Sequence, residues 1–305
     1  MKLRVTLTVV LSVLVLVLGV AVVAVRAWLN AERVLHPQRL AITPADRARA
    51  QKQLPGLEDV AFVTRDGLRL SGWFKAGPRS DALILIHGLA NNRASLLDVA
   101  GMLASDGHGV LVYDSRASGE SAGAVATWGD REQLDVEAAI DWAVARHDVR
   151  PDRIGLYGFS VGATAAALVA AGDSRVQAVV LGPTWTSLED ELRSKFGKWG
   201  PFSLLPAKWA FRSEQIAIDK LRPIDVIVTI PPRALFMLSG DRDTDTPPSV
   251  MSELHRRVPN VEYWLVPGAG HGGYEQVVPT DFRRRFCGFF DRVFPPISAT
   301  GGQGL

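Results

Sequence analysis

The chain has 305 residues, 47% of them hydrophobic and 22% charged, enough apolar material for a large core, which excludes disorder over most of its length. Its formal charge is +2, and no lysine or arginine run is dense enough to follow a phosphate backbone, so nucleic acid is not expected as a partner. The single cysteine, Cys287, permits neither an internal disulfide nor a cysteine-based metal cluster, and beside Phe286 and Phe289 it reads as a small buried apolar residue.

Val5 to Val25 is a run of 21 residues without a charge, long enough as a helix to cross a hydrocarbon core of about 30 Å. It reads as an uncleaved anchor, with residues 1–26 as the membrane segment. The rival is a cleaved signal peptide, whose apolar region is usually only about 7–15 residues, although Val22-Val23-Ala24 has the small-residue pattern of a cleavage site. Lys2, Arg4 and the α-amino group precede the span while Arg26, Glu32 and Arg33 follow it, so the positive-inside bias favours a cytoplasmic N-terminus and a body outside the cytoplasm.

Residues 27–55 are polar and helix-prone, with prolines at 37, 44 and 55, and read as a juxtamembrane linker in which Thr43 caps a short helix opening at Pro44. The stretch "DVAFVTRDGLRLSGWFKAG" then alternates polar and apolar residues around Asp66-Gly67, the mark of an antiparallel hairpin. From there short apolar runs, "ALILIHG", "GVLVYDSR", "RIGLYGFS", "VQAVVLGP", "ALFMLSGD" and "VEYWLVPG", alternate with helical patterns at 93–105, 131–146, 161–171, 249–257 and 280–293. Strands apolar on both faces belong to a parallel sheet covered by helices on each side. The expected fold is therefore α/β, a doubly wound, mostly parallel sheet over residues 56–295, with ligand sites at the carboxyl ends of its strands. One connection is too long for a plain loop. Residues 184–232, carrying Trp185, Trp199 and Trp209, read as a short helical cap insertion bordering a pocket, and residues 296–305 as a disordered tail.

Within "RIGLYGFSVGATAAALVAAG" lies Gly158-Phe-Ser160-Val-Gly162. Alone, a Gly-x-Ser-x-Gly is weak evidence, but here it sits between a strand and an alanine-rich helix, as a nucleophile elbow requires. A serine on a strained turn needs neighbours without bulky Cβ groups, which Gly158 and Gly162 supply, and the helix N-terminus offers free N–H groups to an oxyanion. A serine hydroxyl also needs a base and an orienting acid. Downstream, "GDRDTDTPP" offers Asp241, Asp243 and Asp245 after one strand, and "GAGH" offers His271 after the next.

Four motifs in order, "HGLANNR" from His87, "DSRASGES" from Asp114, "GFSVG" and the pair "GDRDTDTPP" and "GAGH", make the chain from about Val60 to Phe294 resemble an α/β-hydrolase of the compact serine type. The family pattern Gly-x-x-Asp-x-x-x-Pro sets Gly240 and Pro247 around Asp243, so the resemblance implies Ser160, Asp243 and His271 as catalytic residues, with Asp241 and Asp245 as alternatives for the acid. It also implies an oxyanion hole from the backbone N–H groups of Leu89 and Val161. His87 is expected to be structural, and Ala117 stands where the family usually has the first glycine of Arg-Gly-x-Gly, which puts that loop's shape in question.

No metal and no cofactor are called for. The expected activity is hydrolysis of a carboxylic ester or thioester through an acyl-enzyme, on a small-molecule or lipid acyl substrate, with the membrane engaged through the N-terminal helix. The same residues in this fold also serve a peptidase or amidase and a cofactor-free perhydrolase, and a scaffold retaining a dead site is the non-enzymatic alternative.

Overall fold

The computed structural model describes residues 2–297, so the tail expected at 296–305 lies almost wholly outside the described residues. Eight strands form one sheet in the order β1-β2-β4-β3-β5-β6-β7-β8. They are β1 Glu58–Val63, β2 Arg69–Lys75, β3 Ala82–Ile86, β4 Val110–Tyr113, β5 Ile154–Gly158, β6 Val176–Leu181, β7 Ala234–Gly240 and β8 Glu262–Val266. β1 and β2 make the antiparallel hairpin expected around Asp66-Gly67, β2 also runs antiparallel to β4, and every other pair is parallel. Each of the six apolar runs in the sequence forms a strand, and the inner strands β3, β4 and β5 are buried throughout.

Among the described residues twelve α-helices accompany the sheet: α1 Lys2–Leu35, α2 Pro44–Gln53, α3 Leu97–Ser105, α4 Glu132–Val144, α5 Val161–Gly172, α6 Leu188–Phe196, α7 Pro201–Ser213, α8 Pro223–Val226, α9 Pro248–Arg257, α10 Tyr274–Val277, α11 Pro279–Phe282 and α12 Gly288–Val293. A π-turn at Arg283–Cys287 joins the last two. One sheet face is covered by α4, α5 and α9, whose Val136, Ala166 and Leu254 are fully buried. The other is covered by α2, α3 and the C-terminal helices, through Leu54, Leu103 and a run of phenylalanines from Phe282 to Phe294. Burying side chains of this size stabilises the fold by roughly 1.5–3 kcal/mol apiece. Cys287 belongs to that second layer, and burial pushes its thiol up to about 12, as suits an inert packing residue.

β3 is central: the chain passes from it to β4 on one side and then crosses to β5 on the other. The carboxyl ends of β3 and β5 therefore diverge into loops on either side of a crevice, which is the topological switch point where such sheets bind ligands.

Above that crevice a third apolar cluster joins Ala31 and Leu35 of α1 to Leu188, Leu192, Ala207, Ala210 and Phe211 of α6 and α7, with Trp128 and Trp185 beneath. Two boundaries differ from the sequence reading. No break divides the segment expected at 1–26 from the linker expected at 27–55, because α1 continues to Leu35 and buries Ala27, Ala31 and Leu35 at helical spacing. The insertion expected at 184–232 also ends early as a cover: Ile227 and Ile230 pack into the first sheet layer, not onto α6 and α7. Thr43 caps α2 as expected, accepting from Asp46 N–H while the Asp46 carboxylate accepts from Thr43 N–H.

Candidate active site

β5 ends at Gly158 and α5 opens at Val161, leaving Ser160 on the turn with φ 56° and ψ −121°. A left-handed backbone at a serine is uncommon and persists only where the surroundings enforce it. The two glycines are part of that enforcement. A Cβ on Gly158 would stand 2.4 Å from the carbonyl oxygen of Gly162, and one on Gly162 would stand 2.5 Å from that of Ile86. The alanines behind them, Ala163 and Ala165 to Ala167, are fully buried and let α5 lie close on the sheet.

The loop after β7 carries Asp243 and the loop after β8 carries His271. His271 Nε2 lies 3.2 Å from Ser160 Oγ, and His271 Nδ1 lies 2.8 Å from Asp243 Oδ2. Asp243 Oδ1 accepts the backbone N–H groups of Asp245 and Thr246, which fixes the carboxylate in the plane that faces the imidazole. A ring donating its Nδ1 proton to Asp243 presents a bare Nε2 to the serine hydroxyl. Of the two alternative acids, Asp241 turns away and accepts from Gly268 N–H at 2.7 Å, while Asp245 lines the cleft without a bond to His271.

The cleft beside Ser160 has a volume of about 320 Å³. Leu89 and Val161 line it with Ser160, and among the described residues neither backbone N–H is taken up by a hydrogen bond. Gly88 lets the β3 loop approach: a Cβ there would be 3.1 Å from that of Ser160. Trp128 and Trp185 form an apolar wall, and Phe159 packs against the His271 ring at 5.1 Å.

His87 is buried and lies outside the cleft. Its Nε2 accepts Ser115 N–H at 3.1 Å, so its Nδ1 proton goes to Gly88 O at 2.7 Å, and burial lowers its pKa, keeping the ring neutral. Asp114 is equally occupied, accepting from the Arg93 side chain at 2.5 Å and from the backbone N–H groups of Arg93 and Glu120. Ala117 takes φ 59°, a conformation glycine adopts more readily, so the alanine here is under strain. Of the remaining histidines, His108 lies between Asp81 and Asp291, His36 beside Glu32 and Glu214, and His255 on Val261 O. Among the described residues no group of histidine, cysteine and carboxylate side chains is arranged to hold a metal.

Besides Trp128, three cleft residues from other elements were not singled out from the sequence. Val34 arrives from α1, and Glu191 and Lys195 arrive from α6, paired with each other at 3.1 Å. Burial raises the Glu191 pKa, opposed by the Lys195 ammonium and by His271. The only available signals were the helical spacing of Ala27, Ala31 and Leu35 and the amphipathic pattern of α6, and neither says which face meets a site.

Residues 34–203 match the family model described as X-Pro dipeptidyl-peptidase (S15 family). An uncharacterized protein of Mycobacterium tuberculosis is 30% identical over 245 residues, covering 78% of this chain and 81% of that protein. The uncharacterized protein YfhR of Escherichia coli O157:H7 is 34% identical over 138 residues, 43% of this chain and 48% of its own. Among solved structures, an esterase of Pyrococcus furiosus, Pf2001, superposes with a TM-score of 0.70 at 26% identity, covering 86% of this chain and 98% of that one.

Proposed function

Because this chain belongs to the α/β-hydrolase family, in the branch matched by the S15 model, and is a hydrolase of that fold, we propose that it is a membrane-anchored serine hydrolase that cleaves a carboxylic ester or thioester. The observation that carries the proposal is the unbroken relay from Asp243 through His271 to Ser160 at 2.8 and 3.2 Å, ending on a serine held at positive φ.

In this mechanism Ser160 Oγ attacks the substrate carbonyl while His271 Nε2 takes its proton. The oxyanion is held by the N–H groups of Leu89 and Val161, and α5 presents its positive end to the same point. As the intermediate collapses, the carbonyl carbon parts from the leaving oxygen or sulfur, and His271 returns the proton to it. Water then repeats the sequence on the acyl-enzyme, releasing the acid and Ser160. Asp243 holds the imidazolium throughout. The anchor is α1, apolar from Thr6 and exposed from Thr6 to Gly19.

A second reading, cleavage of a peptide or amide bond, is favoured by the X-Pro dipeptidyl-peptidase description of the matching family model. The deciding experiment offers the purified full-length chain a fluorophosphonate probe, a panel of p-nitrophenyl and thioesters, and proline p-nitroanilides. Probe labelling and ester turnover that vanish in Ser160→Ala support the proposal. Anilide turnover exceeding ester turnover would move it to the second reading, and equal labelling of wild type and Ser160→Ala would remove the serine mechanism altogether.

A further inference from the structure

α1 and α7 pack side by side along more than the length outside the span. Trp28 meets Trp209 with ring centroids 6.4 Å apart, and farther along, His36 meets Glu214 at 3.7 Å, so the two helices run in the same direction. Eight residues back from the tryptophan pair, about 12 Å along each helix, stand Pro201 of α7 and Val20 of α1. The covered stripe on α1 agrees, since Val20, Val23 and Ala24 are already half-buried, inside the uncharged stretch that ends at Val25. The first turns of α7 thus lie level with the apolar span.

On its outer side α7 and the turn before it leave four large apolar side chains open, Trp199 at 59%, Phe202 at 55%, Leu205 at 59% and Trp209 at 63%. On α1, at the same levels, Val22, Val25 and Leu29 are open as well. Exposed apolar patches of this kind mark a partner. Tryptophans flanked by cations suit the headgroup level of a bilayer, and Trp28 and Trp209, just beyond the end of the uncharged stretch, have Arg26 and Arg212 close by in their helices.

We propose that the outward face of α7 is bedded in the bilayer beside α1 and that the Ser160 cleft draws its substrate, an acyl amphiphile, from that bilayer. This rests on the reading of α1 as a membrane span. Val34, which lines the cleft, stands nine residues beyond Val25, about 13 Å along the helix, and so just past a headgroup layer of about 5–8 Å. Lys195 on the cleft rim belongs to the helix that leads directly into Trp199. An ester whose tail stays among the lipids reaches Ser160 by rising along the α1–α7 seam.

The test uses the full chain reconstituted in vesicles of phosphatidylcholine and phosphatidylglycerol whose acyl chains carry bromine near the glycerol. A bimane label is placed through Leu205→Cys, through Val17→Cys in the span, and through Asp152→Cys on a loop away from the cap. Quenching at positions 205 and 17 but not at 152, at an immersion of about 5–10 Å for position 205, supports the proposal. Quenching at 17 alone overturns it and leaves the span standing. No quenching at 17 overturns the span and the proposal together. In a second arm, Trp199→Ser, Phe202→Ser and Leu205→Ser are combined: turnover of a vesicle-borne long-chain ester falls about tenfold while that of a short soluble ester is unchanged. Equal rates on both substrates would overturn it, the cleft then taking soluble esters.

Discussion

Arg93 and Asp114 form a fully buried ion pair that ties the loop after β3 to the loop after β4. The guanidinium lies 2.5 Å from Asp114 Oδ2 and 4.3 Å from the Trp73 ring centroid, and it also pairs with Glu120. Both residues fall inside motifs read from the sequence, "HGLANNR" and "DSRASGES". Leu89 lies in the first of these loops.

Asp114→Asn leaves Arg93 charged and without its buried counter-ion. Such a loss costs roughly 3–5 kcal/mol, which is about 6–20 °C in Tm for a domain of this size. Calorimetry on Asp114→Asn, on Arg93→Met and on the double variant measures it. The double variant should lose much less than the sum of the single losses, and simple additivity would show that the pair is not coupled.

Asp243 and Asp241 stand two residues apart with different partners. In Asp243→Asn the amide can offer its own N–H to His271, turning the ring proton toward Ser160, and kcat/KM should fall about 10⁴-fold. Asp241→Asn, which only weakens a bond to Gly268 N–H, should stay within about twofold. Comparable losses in both variants would assign the acid wrongly. Ester hydrolysis and far-ultraviolet dichroism on the same samples separate chemistry from unfolding.

Ala117 at φ 59° holds a conformation that costs an L-residue roughly 1–2 kcal/mol and glycine almost nothing. Glycine loses about 0.5–1 kcal/mol through the entropy of the unfolded chain, so Ala117→Gly should stabilise by about 0.5–1 kcal/mol. A denaturant midpoint that moves down would show that the alanine methyl packs better than its backbone is strained.

The Glu191 carboxyl is held above the ordinary glutamate range by burial in the cleft. Its folded pKa is therefore raised, so the folded state keeps a proton that the unfolded chain releases, and stability falls as pH climbs through that window. Glu191→Gln carries no such penalty. Wild type and variant should unfold at the same temperature near about pH 4, and the variant at the higher temperature near about pH 8. A gap that shrinks as pH rises would mean that Lys195 outweighs burial.

The sheet was legible because its strands are apolar on both faces and end in glycine, aspartate, serine or proline, a pattern that neither a surface strand nor an amphipathic helix shares. The elbow was legible because Gly158 and Gly162 bracket Ser160 at the junction of two such elements. The walls of the cleft were not. Val34 lies 126 residues before Ser160 in the chain, and nothing local in α1 says that its last turns dock on α6 and α7. Glu191 and Lys195 read as an ordinary i,i+4 surface pair until α7 buries one side of α6. Contacts between elements distant in sequence carry no periodicity of their own, and these built most of the pocket.

α1 is one uninterrupted helix from Lys2 to Leu35, about 51 Å at the usual rise. With its first part in the bilayer as proposed, it acts as a post and not as a leash. A domain on a flexible leash tumbles through a hemisphere and meets its targets at random angles. One fixed to a post keeps a constant height and heading, so its encounters are governed by lateral diffusion and by the surface density of what drifts past.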